Sequence, residues 1–446
     1  MTPLALRAVP PRGSEHLGNG PAAHSAAEAA SAIAAGSIGS EQLVRDCLAC
    51  IREREPVVQA WQFLDEAQAL AQARARDRER SEGRALGPLH GVPVGVKDII
   101  DTADMPTENG TVLHAGRRPA RDAAVVALLR AAGAVILGKT VTTEFATYAA
   151  GRTRNPRDPT RTPGGSSSGS AAAVAAGMVP LAIGTQSNAS IIRPAAFCGV
   201  VGFKPSYGLI PRDGILELSP SLDSVGVFAR SLDDIALIAE ALAGLPFTAT
   251  LNSELPSAPR LAFVKTPVWE RCDESTREAF TTLGRALGTQ CEEVALPGLT
   301  IEAWAWHKTI MEAEMAAQLD HEWTTGRDRL SPSLREQLAR GREIRAFDYQ
   351  QALAQVPHLH DALAALFTHF DAILTPATRG TAPPLESTGD PAFGTLWTLT
   401  GLPALSLPLL HGTDGLPLGV QLVGAHGDDA RLLRTARWLE AQVAQR

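Results

Sequence analysis

Apolar positions along the chain follow two periods, and these predict helices and strands in alternation. A spacing of three to four residues predicts that most of 23–83 is helical, with helices at 41–54, N-capped by Ser40, and at 65–80. The same spacing predicts helices at 123–132, 170–177, 231–243 and 428–443, and across 300–368 with a break at 331–333. Short β-branched runs predict strands at 88–100, 134–137, 181–184, 199–204, 372–374, 404–407 and 419–423.

This alternation favours one α/β domain built around a central sheet. Residues 1–22 are rich in Pro, Gly and polar residues, so we expect a flexible N-terminal tail ahead of a domain that spans 23–446. Between the predicted elements, 155–169 has no periodicity and is dense in Pro, Thr, Gly and Ser. A long loop inside a compact domain is often functional, which directs attention to this segment.

Composition and charge narrow the class of protein. The chain has 446 residues, of which 45% are hydrophobic and 20% charged, as is ordinary for a globular protein. The net charge of −7 argues against nucleic acid or an anionic membrane as the main partner. There is neither a long apolar N-terminal run nor a stretch of about 18 apolar residues that would predict a spanning helix. We therefore expect a cytoplasmic protein.

Five scattered cysteines fit a reducing compartment better than a disulfide framework. Cys47 and Cys50 have the C-x-x-C spacing of zinc and redox sites, but they fall within a predicted helix and no second pair lies nearby. The pair is better interpreted as part of a helix face. No His, Asp or Glu cluster has the spacing of metal ligands, so no metal is expected.

Three segments together carry candidate chemistry. Lys97 ends the apolar run that starts at Pro93, a Ser/Gly run occupies 163–170, and small residues surround Ser190 in 184–195. Taken singly, these segments are typical of a solvent-facing strand end, a flexible linker and a turn. None of them contains a histidine or a Gly-x-Ser-x-Gly elbow, so lysine is the remaining group that can activate a serine. The Ser/Gly run also lacks the Gly-Lys-Ser/Thr ending of a nucleotide-binding loop.

The order of motifs resembles the amidase signature family over most of the chain. The resemblance is carried by 138–140 (Gly-Lys-Thr), 144–146 (Glu-Phe-Ala), 163–170, 184–199, 202–205 (Gly-Phe-Lys-Pro), 221–226 (Ser-Leu-Asp-Ser-Val-Gly) and 415–424. It implies a central mixed β-sheet covered by helices on both faces, with the signature core at about 87–244 and a helical substrate-pocket insert at about 300–370. It also implies that no cofactor is needed.

The resemblance assigns a role to each catalytic position. Lys97 corresponds to the family's catalytic base, Ser166 to a bridging serine that follows a cis peptide bond, and Ser190 to the nucleophile. Lysine has an ordinary pKa of about 10.4, so burial must lower the pKa of Lys97 before its amine can accept a proton. We expect the Ser166 hydroxyl to lie within about 2.6–3.2 Å of both the Lys97 amine and the Ser190 hydroxyl.

The oxyanion segment departs from the family pattern. Its expected oxyanion hole consists of the backbone N–H groups of Ser187, Asn188, Ala189 and Ser190. Gln186 replaces an aspartate and Asn188-Ala189 replaces a glycine pair, which predicts strain if this loop needs positive φ.

The arginine of the same segment is displaced by one position, to Arg193, as in a malonamidase-like branch of the family. Arg193 and Gly165 are assigned to substrate binding. For Arg193, a substrate carboxylate and a structural pair with an internal Asp or Glu remain equally open. A group of large side chains in the insert suggests either a pocket lining or simple core: Trp304, Trp306, Met311, Met315 and Trp323.

Several functions share this chemistry. The first is an amidohydrolase for a small-molecule amide, with accompanying esterase activity. Carbamate (urethane) or urea-type bonds need the same nucleophile and oxyanion hole, so they form the first alternative. An amidotransferase subunit that supplies ammonia to a partner is the second alternative. The replacement of the family's aspartate by Gln186 and the net negative charge of the chain disfavour it. A non-catalytic binding protein on the same fold is the third. The assembly considered is a homodimer, although the sequence does not establish the oligomeric state.

Overall fold

The computed structural model describes residues 24–445, so the expected tail at 1–22 lies outside the described residues. Within this range, a single sheet of eleven strands has the order β1-β3-β2-β4-β6-β5-β10-β11-β9-β7-β8. The strands are β1 Trp61–Leu64, β2 Pro93–Lys97, β3 Val135–Thr140, β4 Leu181–Gln186, β5 Val201–Lys204, β6 Ser224–Ala229, β7 Leu261–Val264, β8 Cys291–Val294, β9 Ala372–Pro376, β10 Ala404–His411 and β11 Pro417–Val423.

The sheet is mixed, as predicted. β2 runs parallel to β3 and β4, and β7 runs parallel to β8 and β9, whereas the remaining neighbours are antiparallel. In β3, Val135 and Leu137 belong to one apolar cluster and Ile136 belongs to the other. Alternate residues of a strand point to opposite faces, so both faces of the sheet are buried under helices.

The helices surround this sheet. They are α1 Ala26–Ala35, α2 Ser40–Val58, α3 Glu66–Ser81, α4 Ala124–Ala131, α5 Ser168–Ala175, α6 Ile192–Cys198, α7 Leu232–Ala243, α8 Phe247–Leu251, α9 Glu274–Leu287, α10 Ala303–Gln318, α11 Asp320–Gly326, α12 Pro332–Glu343, α13 Ala346–Phe367, α14 Ala392–Leu399 and α15 Asp429–Ala444. Among residues 24–445, no helix combines the length and the apolar character needed to cross a membrane.

The expected helical insert consists of α10 to α13. Its break at 331–333 is a new helix start, because the Ser331 side chain accepts a hydrogen bond from the Leu334 N–H and Pro332 occupies the first turn of α12. α10 and α12 approach closely at Gly341, where a Cβ atom would lie 2.0 Å from the Glu312 carbonyl oxygen. The insert therefore packs as a compact layer of helices rather than as an extended loop.

The start of α2 differs from the prediction that Ser40 is its N-cap. Ser40 is the first helical residue, and its hydroxyl donates a 2.9 Å hydrogen bond to the Gly91 carbonyl oxygen. The N–H groups of Ser40 and Glu41 instead donate to the two carboxylate oxygens of Asp77, at 2.7 and 2.9 Å. Asp77 lies in α3, so a neighbouring helix caps α2 through a long-range contact that no local pattern encodes.

We expect Asp77→Ala to lower the free energy of unfolding by about 1–2 kcal/mol, because it leaves two helix N–H groups without an acceptor. Asp77→Asn is the matched control, since its amide oxygen can still accept one of these bonds. Chemical denaturation of the three proteins measures the difference. Equal stability of Asp77→Ala and wild type would show that water replaces the carboxylate at no cost.

Candidate active site

Lys97 occupies the carboxyl end of β2, the third strand from one edge of the described sheet. Its side chain is fully buried, and its Nζ lies 2.7 Å from Ser166 Oγ and 2.8 Å from Thr185 Oγ1. Among the described residues no carboxylate forms an ion pair with it. Burial therefore holds the pKa of Lys97 well below its ordinary value of 10.5, and a more distant Asp223 opposes this shift in part. The neutral amine is the form that can accept a proton.

Asp223 is the acidic group that faces this region. One carboxylate oxygen accepts the Ser187 hydroxyl, and the other accepts the N–H groups of Leu218 and Ser219 at 2.8 and 2.9 Å. Burial raises the pKa of Asp223 to about 6, although these hydrogen bonds oppose the shift. Asp223 thus joins the loop at 187–191 around the expected nucleophile Ser190, called the nucleophile loop, to the segment that precedes β6.

Ser166 lies in the loop that leads into α5. The peptide bond between Gly165 and Ser166 is cis, as predicted. The Ser166 hydroxyl makes the expected hydrogen bond with Lys97, but the hydrogen bonds of residues 24–445 do not include the expected one with Ser190. Hydrogen bonds between catalytic groups often close only when substrate binds, so the contact with Ser190 stays a prediction for the complex.

Ser190 sits in the turn between β4 and α6 and is 7% exposed. Gln186, at the end of β4, holds this turn together. Its amide oxygen accepts the N–H groups of Ile191 and Ile192, at 2.8 and 3.1 Å, and its amide nitrogen donates to Thr398 Oγ1 at 2.9 Å. The glutamine therefore satisfies the N–H groups at the start of α6, which a carboxylate could also do.

The backbone N–H groups of Asn188, Ala189 and Ser190 donate to no acceptor among the described residues. Consecutive N–H groups without an acceptor, in the turn that carries Ser190, are what the predicted oxyanion hole needs, because its donors await a charge that develops during the reaction. The Ser187 N–H likewise has no acceptor within residues 24–445, whereas its hydroxyl and carbonyl are hydrogen-bonded to Asp223 and His307, so all four predicted donors stay candidates.

The expected strain at Asn188 and Ala189 is absent, since neither residue has positive φ among the described backbone. The Ala189 side chain fits because the residue opposite it, Gly394 of α14, has no side chain. A Cβ atom on Gly394 would lie 2.7 Å from the Ala189 Cβ. Asn188 is held through its side chain, which donates to the Tyr148 hydroxyl at 3.0 Å and accepts from Thr395 Oγ1 at 2.7 Å. The loop accommodates both side chains without a left-handed backbone.

Arg193 follows Ser190 by three residues and is buried in the first turn of α6. No Asp or Glu among the described residues forms an ion pair with it, so the structural pairing left open by the sequence is not observed. Its Nη2 donates to the Gly165 carbonyl oxygen at 2.7 Å and to Thr388 Oγ1 at 3.4 Å, while Nε and Nη1 have no acceptor. Burial lowers the pKa of Arg193 to about 10, which leaves it charged at neutral pH.

A cavity of about 440 Å³ opens beside Asn188 and Thr388. Two of the large side chains noted in the insert, Trp304 and Met311, line it. Met315 is instead fully buried core, and Trp306 and Trp323 pack at the edge of the core. The cavity thus lies between the signature core and the insert, next to the nucleophile loop.

The sequence singled out Lys97, Ser166 and Ser190 but missed their supports. Thr185 and Asp223 lie within the family motifs at 184–199 and 221–226, but the sequence assigned them no role. Tyr148, His307 and Thr398 lie in separate segments, and His307 binds the Ser187 carbonyl oxygen across 120 residues. No spacing rule links such distant positions.

Within residues 24–445, no three His, Cys, Asp or Glu side chains are grouped so as to hold a metal ion. Cys47 and Cys50 lie in α2, where burial raises the thiol pKa of Cys47 to about 12 and Cys50 Sγ lies 3.6 Å from the Ala176 carbonyl oxygen. This placement agrees with the interpretation of the pair as a helix face.

Comparison with known proteins places this geometry in a family. A family model described as Amidase matches residues 42–433. The chain belongs to the amidase family. Membership makes it a hydrolase that acts on carbon–nitrogen amide bonds, and the mixed sheet with its helices is the fold of the solved amidases.

Three relatives illustrate the range of the amidase family around this chain. A glutamyl-tRNA(Gln) amidotransferase subunit of Chloroflexus aurantiacus is 35% identical, with 91% of this chain and 94% of the relative aligned. A protein solved as part of a vestigial complex related to the origin of an s-triazine catabolic enzyme has a TM-score of 0.88 at 28% identity, over 94% of this chain and 98% of the other. Native peptide amidase from Stenotrophomonas maltophilia has a TM-score of 0.82 at 31% identity, over 94% and 96%.

We expect kcat/KM to rise with pH along an acidic limb governed by Lys97. Burial lowers the pKa of Lys97, and only the deprotonated amine accepts a proton, so activity appears above that lowered pKa and is lost below it. Profiles measured between about pH 5 and pH 9 on wild type and Lys97→Arg test this, because arginine stays protonated throughout that range.

Asp223 also titrates in this range and needs its own control. If Lys97 sets the limb, Asp223→Asn retains a limb and moves it to lower pH, because Asp223 raises the pKa of Lys97. Loss of the limb in Asp223→Asn, or an unchanged limb in an active Lys97→Arg, would contradict the assignment.

Proposed function

We propose that this protein is an amidohydrolase that cleaves a carbon–nitrogen amide bond through an acyl-enzyme on Ser190, with Ser166 and Lys97 as proton relay. The observation that carries this proposal is the buried Lys97 amine, hydrogen-bonded to Ser166 and without an ion-pair partner among the described residues. Lys204 is also buried without an ion pair within residues 24–445, but its amine donates to the Pro205 carbonyl oxygen. The Lys97 amine instead meets the Ser166 hydroxyl, a group that can pass a proton to it, which supports a role in proton transfer.

In the proposed reaction, Ser190 Oγ attacks the amide carbonyl carbon and passes its proton to Ser166, which passes its own to Lys97. The oxyanion that forms accepts hydrogen bonds from the free N–H groups between Asn188 and Ser190. Collapse breaks the carbon–nitrogen bond, and the proton on Lys97 returns through Ser166 to the leaving amine. A water molecule then attacks the ester and gives its proton to the same relay. The ester bond breaks, the acid is released, and Ser190 regains its proton.

Arg193 suggests the class of substrate. A buried guanidinium with two unused donor nitrogens and no acidic partner among the described residues favours an anion. Its position one helical turn after Ser190 requires that this anion lie near the scissile bond. We infer that the acyl part is short and carries a carboxylate.

The cavity rim agrees with an anionic substrate. Three cations lie there, Arg271, Lys308 and Arg340, against two acids, Asp390 and Glu312. Arg271 pairs with Asp390 and Arg340 with Glu312, which leaves Lys308 as the unpaired charge among these five. The rim is therefore net positive on a chain whose net charge is −7, and an anionic ligand is drawn toward it.

The alternatives share this chemistry. Carbamates and urea-type compounds present the same carbonyl to Ser190, so a panel of matched amide, carbamate and urea substrates has to rank them. The relatives named as amidotransferase subunits favour a second role, in which this chain works within a complex. Turnover of simple amides by the lone purified chain supports the free-standing hydrolase, and hydrolysis only after addition of a partner supports the role within a complex.

Ser190→Ala provides the test of the mechanism on this panel. Loss of a serine nucleophile can lower kcat on the order of a millionfold, and the variant should no longer be labelled by a fluorophosphonate probe. Retained circular dichroism and thermal stability show that the fold is intact. Activity within tenfold of wild type would remove Ser190 from the mechanism.

We expect Arg193→Met to reduce kcat/KM about 100-fold for a carboxylate-bearing amide, because a hydrogen bond to a charged group contributes about 1.5–3 kcal/mol. The corresponding neutral amide should change less than about fivefold. Thr388→Val is the matched control, since it removes the weaker contact of Arg193 but keeps the charge. Equal losses for both substrates would mean that Arg193 acts by holding the Gly165 carbonyl rather than by binding the substrate.

A further inference from the structure

One face of α10 lies against the nucleophile loop. His307, Met311 and Glu314 recur at intervals of four and three residues, so their side chains leave the helix on the same side. Met311 contacts the Tyr148 hydroxyl, which in turn accepts a hydrogen bond from Asn188. This face belongs to the insert, outside the segments that carry the proposed relay.

Glu314 fixes the helix relative to the core. Its carboxylate accepts the hydroxyls of Ser219 and Ser221, each at 2.5 Å, and the Tyr349 hydroxyl at 2.8 Å. Ser219 also donates its N–H to Asp223, which binds Ser187. The helix is thus anchored through hydrogen bonds that continue to the start of the nucleophile loop.

His307 reaches the loop directly. Its Nε2 lies 2.9 Å from the Ser187 carbonyl oxygen, and the ring is buried. A carbonyl oxygen can only accept a hydrogen bond, so Nε2 must carry the proton of the ring. Burial also lowers the pKa of His307 to about 4, which keeps the imidazole neutral near pH 7. His307 is therefore a fixed donor rather than a proton carrier.

Peptide planarity turns this contact into a constraint on the oxyanion hole. The carbonyl of Ser187 and the N–H of Asn188 belong to one peptide plane and point in opposite directions, because this bond is trans. Holding the Ser187 oxygen therefore sets the direction of the Asn188 N–H, one of the free donors of this loop. Thr398 does the same for the next peptide, since its hydroxyl donates to the Asn188 carbonyl and so orients the Ala189 N–H.

We propose that His307 is a positioning residue that aims the Asn188 N–H at the oxyanion, and that Thr398 is its counterpart for the Ala189 N–H. The inference rests on the proposed function, because it gives these N–H groups their purpose. It assigns the insert a part in catalysis beyond lining the substrate cavity. The substrate itself does not have to touch Thr398 for the effect to operate.

The test compares His307→Leu, which removes the donor at similar volume, with His307→Gln, whose amide N–H stands near the position of Nε2. Active sites are counted by the final stoichiometry of fluorophosphonate labelling, and kcat is expressed per labelled site. A misaimed oxyanion donor should lower kcat of His307→Leu about 30-fold or more with KM within about threefold. His307→Gln should stay within about fivefold of wild type.

Thr398→Val and Thr398→Ser form a second pair that does not depend on the imidazole, and they keep the proposal testable if His307→Leu fails to fold. Valine should lower kcat per labelled site, whereas serine, which retains the hydroxyl, should restore it. Wild-type kcat per labelled site in His307→Leu or Thr398→Val overturns the proposal, as do equal losses in His307→Gln and His307→Leu. Absence of labelling at Ser190 in wild type would instead refute the proposed function.

Discussion

The burial of the Lys97 amine without an ion-pair partner among the described residues is the constraint around which the site is arranged. Lys97 ends a strand that is buried along its whole length. A charged amine there would need a carboxylate within ion-pair distance, and within residues 24–445 Lys97 has no ion pair and is hydrogen-bonded to two hydroxyl groups. The packing of the fold therefore favours the neutral amine of Lys97, which is the form that can accept a proton.

Contrast with a second buried lysine shows that burial alone does not produce this state. Lys139, in the neighbouring strand β3, lies 3.5 Å from Asp98 and donates to two carbonyl oxygens and to Thr107. Its pKa falls only to about 8, because the carboxylate offsets the desolvation. Lys139 is paired with a carboxylate and Lys97 is not, so the difference in pKa lies in the groups that face each amine.

The sequence predicted the parts of this protein that are locally encoded. The strand that ends at Lys97, the helix capped by Ser231 and the new start at Ser331 all follow from periodicity and capping residues. Four strands were missed. β1 and β8, at the edges of the sheet, are short and carry polar residues, so backbone pairing defines them more than an apolar pattern does. β6 and β7 are buried strands inside the sheet that no predicted strand covers.

In the candidate site, too, some features could be predicted from the sequence and others could not. The resemblance supplied the three relay positions, because these stand in ordered motifs. The absence of positive φ in the oxyanion turn could not be inferred, since it depends on the space that Gly394 leaves opposite Ala189. The role of Arg193 was equally open until the structure showed which groups surround it. Contacts between distant segments decide these features.

The same division bears on how substrate range and reaction chemistry can change independently. The relay groups stand on the sheet and on the loops that leave it, whereas the cavity wall comes from α10, α12 and the segment around α14. If His307 and Thr398 aim the oxyanion donors, this separation is incomplete, because α10 and α14 would both shape the cavity and orient the reacting loop. Replacing a cavity residue outside α10, such as Gln337 of α12, can then alter specificity alone, whereas any change that shifts α10 as a body must also disturb the chemistry.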